Sequence, residues 1–146
     1  MEFSGNVVIR APRAAVWAFV TDPNQVGSCG PGVESIEVID ATHFRARAKV
    51  GVGFITSKFA VDLEMAEQIA PDKAVIKARG QAPGSAVDGS GQMLLSGPPE
   101  GPTVMDWSAS VQISGTLATV GARLIEGTAN KLIGQSFDCI RAKLEA

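Results

Sequence analysis

The sequence predicts an α+β fold: a curved antiparallel sheet of about six to seven strands wrapped around one long C-terminal helix, with two short helices after the first strand. Three observations predict it. Several segments between residues 33 and 113 alternate apolar and polar side chains, the mark of strands buried on one face and wet on the other. After Ser114-Gly115 the apolar spacing becomes helical. Two helix-start signals, Ala11-Pro12 and Asp22-Pro23, follow the first apolar segment.

Each element has its own warrant. Glu2 to Arg10 reads as a first strand ending in Val7-Val8-Ile9. Pro12 suits a first helical position, where its missing N–H has no partner to lose, and Val16, Trp17 and Val20 lie at helical spacing behind it. Asp22 caps a very short helix over 23–27, and the run Gly27-Ser28-Cys29-Gly30-Pro31-Gly32 breaks it. Strands follow over 33–40, 43–50, 54–65, 74–80, 86–95 and 103–113. The last alternates best, with Met105, Trp107, Ala109, Val111 and Ile113 inward against Asp106, Ser108, Ser110 and Gln112. The Gly/Pro-rich stretch 80–102 reads as two hairpin loops around a strand, because the sheet pieces on either side are incomplete alone. Residues 116–145 read as one helix about 45 Å long, capped by Ser114 or Thr116. Its apolar stripe centres near Leu117 and Leu124 in the first half and near Ile133 and Phe137 in the second. The helix therefore curves or meets two different surroundings.

Composition bounds the function. A chain of 146 residues is one domain, 1–146, long enough to build a core without staples. Thirteen Lys+Arg against fifteen acids give a net charge of -2, with no basic excess to hold a nucleic-acid backbone. No basic and apolar leader opens the chain, and the apolar run Ala14 to Val20 is far short of the roughly 20 residues a membrane helix needs. A cytoplasmic protein is expected. Cys29 and Cys139 are 110 positions apart; a disulfide is open to them, but two free buried thiols in a reducing compartment are the expectation.

The side chains that catalysis commonly uses are scarce: one His, two Cys and no Tyr. No hydrolase elbow, phosphate loop or dinucleotide fingerprint occurs. One His and two remote Cys do not build a zinc site. Cys29 with His43 lacks an orienting third group, and His43 falls on the polar face of its strand, as Asp62 and Glu64 do on theirs. The informative positions point inward. Ala46, Ala48, Ala78, Gly89, Gly91 and Ala109 are small residues at mid-strand facing a helix. Either the helix packs very close, or a cavity exists that a ligand fills. Phe59, Val61, Met93, Leu95, Met105, Trp107 and Ala109 on the strands would line it, with Leu117, Leu124, Ile125, Thr128 and Leu132 from the helix. Its ligand would be hydrophobic, with Ser57 or Thr128 as a polar handle.

A specific series of residues then carries a resemblance. It comprises Met1-Glu2-Phe3-Ser4-Gly5, Ala11-Pro12 with Val16-Trp17, Asp22-Pro23, and Cys29-x-Pro31-Gly32-x-Glu34-Ser35. Gly115-x-Leu117-Ala118-x-x-Gly121-x-Arg123-Leu124-Ile125 and Lys131-Leu132 complete it. Together they resemble the carbon monoxide dehydrogenase CoxG family of the START-like (SRPBCC), helix-grip superfamily. The resemblance implies a deep apolar cavity between sheet and C-terminal helix. It implies a non-catalytic accessory of a molybdenum-type carbon monoxide dehydrogenase or related hydroxylase, linking it to the membrane. It further implies a quinone or lipid-like ligand in the cavity, with no required cofactor or metal. Two departures stand out: Gly30 replaces the apolar residue common between the Cys and the Pro, and the chain ends at Ala146 where some relatives continue into a membrane-seeking tail. Transient contact at the inner face of the membrane is therefore expected, rather than permanent attachment. Cys29, Gly30, Pro31 and Gly32 are the expected gating or docking loop. Two other functions compete: a START-like cyclase or hydrolase, which needs a proton-transfer group inside the pocket, and a pure assembly factor with a collapsed interior.

Overall fold

In the computed structural model, which describes residues 1–146, the alternating segments form one seven-stranded antiparallel sheet. In chain order the elements are β1 (Glu2–Ile9), α1 (Arg13–Val20), α2 (Pro23–Gly27), β2 (Val33–Val38), β3 (His43–Val52), β4 (Ile55–Ile69), β5 (Lys73–Ala82), β6 (Ser85–Ser96), β7 (Thr103–Gly115) and α3 (Ala122–Leu144). The spatial order is β1-β7-β6-β5-β4-β3-β2. Hairpins join β2 through β7 in sequence, and β1 closes beside β7. The 80–102 stretch does enclose a strand, β6. Register shifts at Val33/Ser35 and Met65/Glu67 interrupt the ladders, and such irregularities bend strands.

The turns follow from their residues. Gly53 has φ +63 and Phe54 completes the two-residue loop between β3 and β4, as a hairpin turn with glycine at its first position requires. Asp22 caps α2, its carboxylate accepting from the Asn24 and Gln25 N–H groups.

Three expectations are corrected. The C-terminal helix is not continuous from residue 116. Thr116–Val120 is a 3-10 turn, Gly121 breaks the path with φ 99, and α3 begins at Ala122 without a side-chain cap from Ser114 or Thr116. Pro12 stands one position before α1 rather than inside it. Cys29 and Cys139 are not free thiols: they form a disulfide with Cα atoms 5.4 Å apart. A separation of 110 residues says nothing about distance once the C-terminal turns of α3 return to the loop after α2. The bond also removes the ground on which the sequence pointed to a reducing compartment.

Most of the buried side chains fall into two groups at opposite ends of α3. Ile9, Val16, Phe19, Cys29, Leu95, Met105 and Ile140 pack at one end; Val52, Phe59, Leu117 and Ile125 pack at the other. Between Ile125 and Ile140 the helix spans about 22 Å, and none of its residues in that span is buried. The shifted apolar stripe thus has its cause in two separate anchorages.

Candidate functional site: an apolar hollow under α3

The unburied span of α3 lies over two chambers. The larger, of about 320 Å³, is walled by Val50, Val52, Phe59, Val61, Val87, Val111 and Ile113 from the sheet and by Leu117, Ile125, Ala129 and Leu132 from the helical side. Its floor is made of Ala48, Ala78, Gly80 and Gly89. The smaller, of about 260 Å³, is bordered by Val20, Met65, Ala74, Ile76, Gly91, Met93, Trp107, Ala109, Ile133 and Phe137. The Trp107 and Phe137 rings meet there with centroids 5.6 Å apart.

Strand register shows how the chambers relate. Ala78, Gly89 and Val111 lie side by side in the larger, and Ile76, Gly91 and Ala109 lie side by side in the smaller. These rows are two residues apart on one sheet face, about 7 Å. The chambers therefore sit end to end along α3, which passes over them as Thr128-Ala129, Leu132-Ile133 and Phe137. A cavity here, rather than close packing, is what the small mid-strand residues produce. The walls are half-buried rather than closed: Val50, Val61, Val87, Val111, Ile113 and Leu132 all keep partial exposure. Each chamber is near or just below the lower end of the roughly 300–1,000 Å³ range of small-molecule sites, and end to end they fall within it.

Chemically the hollow is uncharged and mostly apolar, with Gln92 and Ser108 on the smaller chamber and Thr128 on the larger as its polar residues. Thr128 is the only polar side chain on the larger chamber, and no Asp, Glu, His, Lys or Arg lines either one. The groups a proton-transfer reaction would need lie elsewhere: His43, Glu64 and Asp106 are all exposed. His43 bonds through Nδ1 to the Asp40 carboxylate at 2.9 Å. That carboxylate also accepts from the Thr42 N–H, and these bonds hold the Asp40 pKa down to about 2. The outer sheet face carries a hollow of about 540 Å³ lined by charges of both signs, Asp62, Glu64 and Asp88 with Lys77 and Arg79. Arg45 pairs with Asp62 at 2.8 Å, which raises the Arg45 pKa, and Arg79 pairs with Asp88 at 3.9 Å. No group of three or more His, Cys, Asp or Glu comes together in metal-binding range.

The structure distributes the sequence-derived residues as follows. Phe59, Val61, Leu117, Ile125, Thr128 and Leu132 line the larger chamber; Met93, Trp107 and Ala109 line the smaller. Leu95 and Met105 are buried in the packed group beneath it. Leu124 is placed differently: it is 42% exposed and lines an outer groove with Arg123 and Lys131. The 3-10 turn is the reason, because it destroys the helical phase between Leu117 and Leu124. Ser57 lines neither chamber. Val50, Val87, Val111 and Ile113 complete the wall, marked by the same alternation that marks Phe59. Ala129 carries no such mark, because a helical alanine suits any face.

The Cys29–Gly32 loop also lines neither chamber. It is a brace: Cys29 is bonded to Cys139, the Lys49 N–H donates to Gly32 O, and Lys143 Nζ donates to Ser28 Oγ. A Cβ on Gly32, at φ +80, would collide with Lys49 O, so only glycine fits there.

A sheet gripping a helix around an apolar hollow matches a known family over nearly the whole chain: the profile of CoxG, a carbon monoxide dehydrogenase subunit, fits residues 5–145. The chain belongs to the CoxG family. Among solved structures it is similar to a conserved protein from Geobacillus kaustophilus, with a TM-score of 0.92, 21% identity, and coverage of 99% of this chain and 95% of that one. It is also similar to a START superfamily protein from Mycobacterium smegmatis (TM-score 0.69, 12% identity, 99% and 97% covered). A third likeness is to the Zhui aromatase/cyclase from Streptomyces sp. R1128 (TM-score 0.68, 16% identity, 99% and 93% covered). At these identities the likenesses show the START-like fold of this CoxG-family chain and not its chemistry. A comparison with curated protein sequences finds no match.

Proposed function

We propose that this CoxG-family protein is a non-catalytic carrier that holds an apolar molecule, a quinone or something similar, in the hollow under α3. The observation that carries the reading is the larger chamber, with 13 hydrophobic residues among its 16. An isoprenoid quinone fits that lining: its chain needs only apolar walls, and Thr128 can donate one hydrogen bond to a ring carbonyl. Membership of the family supports an accessory role beside a molybdenum-type carbon monoxide dehydrogenase or related hydroxylase. In that role the protein would link the enzyme to the membrane, working as a peripheral protein at its cytoplasmic face. No helix is long and apolar enough to cross a membrane.

The fold alone does not decide against catalysis, since a cyclase shares it. The uncharged lining favours carriage, because a cyclase needs a proton-transfer group at its substrate. Organic extraction of the purified protein, with native mass spectrometry before and after, tests the proposal. A bound quinone or similar apolar molecule is expected. Protein from a quinone-containing host that carries none, and takes up none when offered it, overturns the reading.

A further inference from the structure

The β3–β4 hairpin carries a feature that the cavity does not explain. Phe54 stands at its tip 96% exposed, the extreme among the large hydrophobic side chains. Leu124, at the start of α3, packs beside the same turn: a Cβ on Gly53 would lie 2.8 Å from Leu124 Cδ2. Cations outnumber acids on the segments that carry this apolar point. From Phe44 to Val61 the chain holds Arg45, Arg47, Lys49 and Lys58 and no acid. Only Arg45 of these has an ion-pair partner. Lys49 and Lys58 lie directly opposite one another across the hairpin, a like-charge pair that destabilises a sheet unless an anion lies against it. Arg123 and Lys131 flank Leu124 along the outer groove, also without ion pairs; Glu126 is the acid on that stretch of helix.

The same point is the rim of the larger chamber. Val52 and Ile125, both on the chamber wall, are next to Gly53-Phe54 and Leu124 in the chain, and Thr128 borders both the chamber and the outer groove. We infer that the hairpin tip Gly53-Phe54 with Leu124 is a docking point for an anionic lipid surface, placed so that the chamber opens against the bilayer. This rests on the carrier reading and names the partner of its site. A protruding ring with the unpaired cations Lys49 and Lys58 on the strands behind it suits insertion into a headgroup layer, where apolar contact and attraction to anionic lipid add. It does not suit a flat protein interface, which needs a wide complementary patch around such an anchor. An apolar cargo leaving at this rim would enter hydrocarbon without crossing water.

Vesicle co-sedimentation tests it, with phosphatidylcholine alone and with phosphatidylcholine plus phosphatidylglycerol. Binding is expected only to the anionic vesicles and is expected to weaken as salt rises. Phe54→Ser should lower it about tenfold or more. Lys49→Gln and Lys58→Gln should lower it about fivefold each. Val38→Ser, at a half-exposed position paired with Phe44 at the end of β3 opposite the hairpin tip, should leave it unchanged. Because Phe54 is free of packing, Phe54→Ser should melt like the parent and keep any extracted ligand. Equal sedimentation of the parent and Phe54→Ser overturns the inference. So does loss of dehydrogenase binding in Phe54→Ser with vesicle binding intact, which would mark a protein interface. A protein that docks through Phe54 yet never holds an apolar molecule would leave the docking surface standing and remove the carrier reading.

Discussion

Ala129 sits where the hollow is most sensitive to a single side chain. It lines the larger chamber from α3, with Ala48, Ala78, Gly80 and Gly89 on the sheet floor, so the space is held open by five residues that lack bulk. Ala129→Phe should fill it. Folding stability should be unchanged or raised, as cavity filling commonly gives about 0.5–2 kcal/mol, while uptake of an apolar ligand should fall at least tenfold. Denaturant unfolding and a binding titration check both halves. A loss of about 1–3 kcal/mol, the usual penalty of overpacking, would mean the space is already full. Asp40 makes a different point at the same scale. Its folded pKa of about 2 lies below the ordinary carboxylate value. Its bonds to Thr42 and His43 therefore support the β2–β3 turn fully above about pH 4, and that support is lost as the pH falls through about 2. A carboxyl NMR titration should place its midpoint near 2; a midpoint near the ordinary value would show that the turn does not hold in solution. Neither residue stands out in the sequence. Alanine and an exposed aspartate carry no pattern until their neighbours are known.

The strands are legible in the sequence, and the helix is legible only in part. Alternation over β3, β4 and β7 reflects one face in water and one against α3, and the period of two survives whatever the register. The C-terminal segment misleads because helical phase accumulates along a chain. One 3-10 turn with a break at Gly121 rotates everything after it, which moves Leu124 from the expected lining to the outside. The disulfide misleads for a related reason: pairing depends on how the end of α3 returns to the loop after α2, and no local pattern records that. The bond ties the last turns of α3 to the loop after α2 and closes a loop of 110 residues. Its removal in Cys139→Ser should cost about 2–5 kcal/mol. It should also speed hydrogen exchange at the C-terminal turns of α3 more than at Ile125, because the other anchorage of the helix is untouched. Unchanged melting and uniform exchange would show that the bond does not form in the folded protein.

Across the whole molecule, the two packed groups lie at the two ends of α3, and no residue of α3 between Ile125 and Ile140 is buried. A domain of 146 residues with this much alternating sheet has enough apolar surface to fill its interior. It places small residues at the centre of the sheet instead, and leaves its valine-rich walls half-buried. The small residues and the scarcity of catalytic groups are visible in the sequence, but not whether the helix closes the gap. That depends on where α3 is anchored, which only the fold settles. The scarcity then has a physical reading: a vessel for a greasy molecule has no use for titratable groups on its walls. The most direct test is a methyl NMR titration of the protein with a soluble short-chain quinone. Shifts at Val61, Val87, Ala129 and Leu132, with contacts from those methyls to the quinone, are the predicted result. A saturating titration that leaves these four methyls unmoved, while exposed ones such as Val38 shift, would contradict the carrier reading.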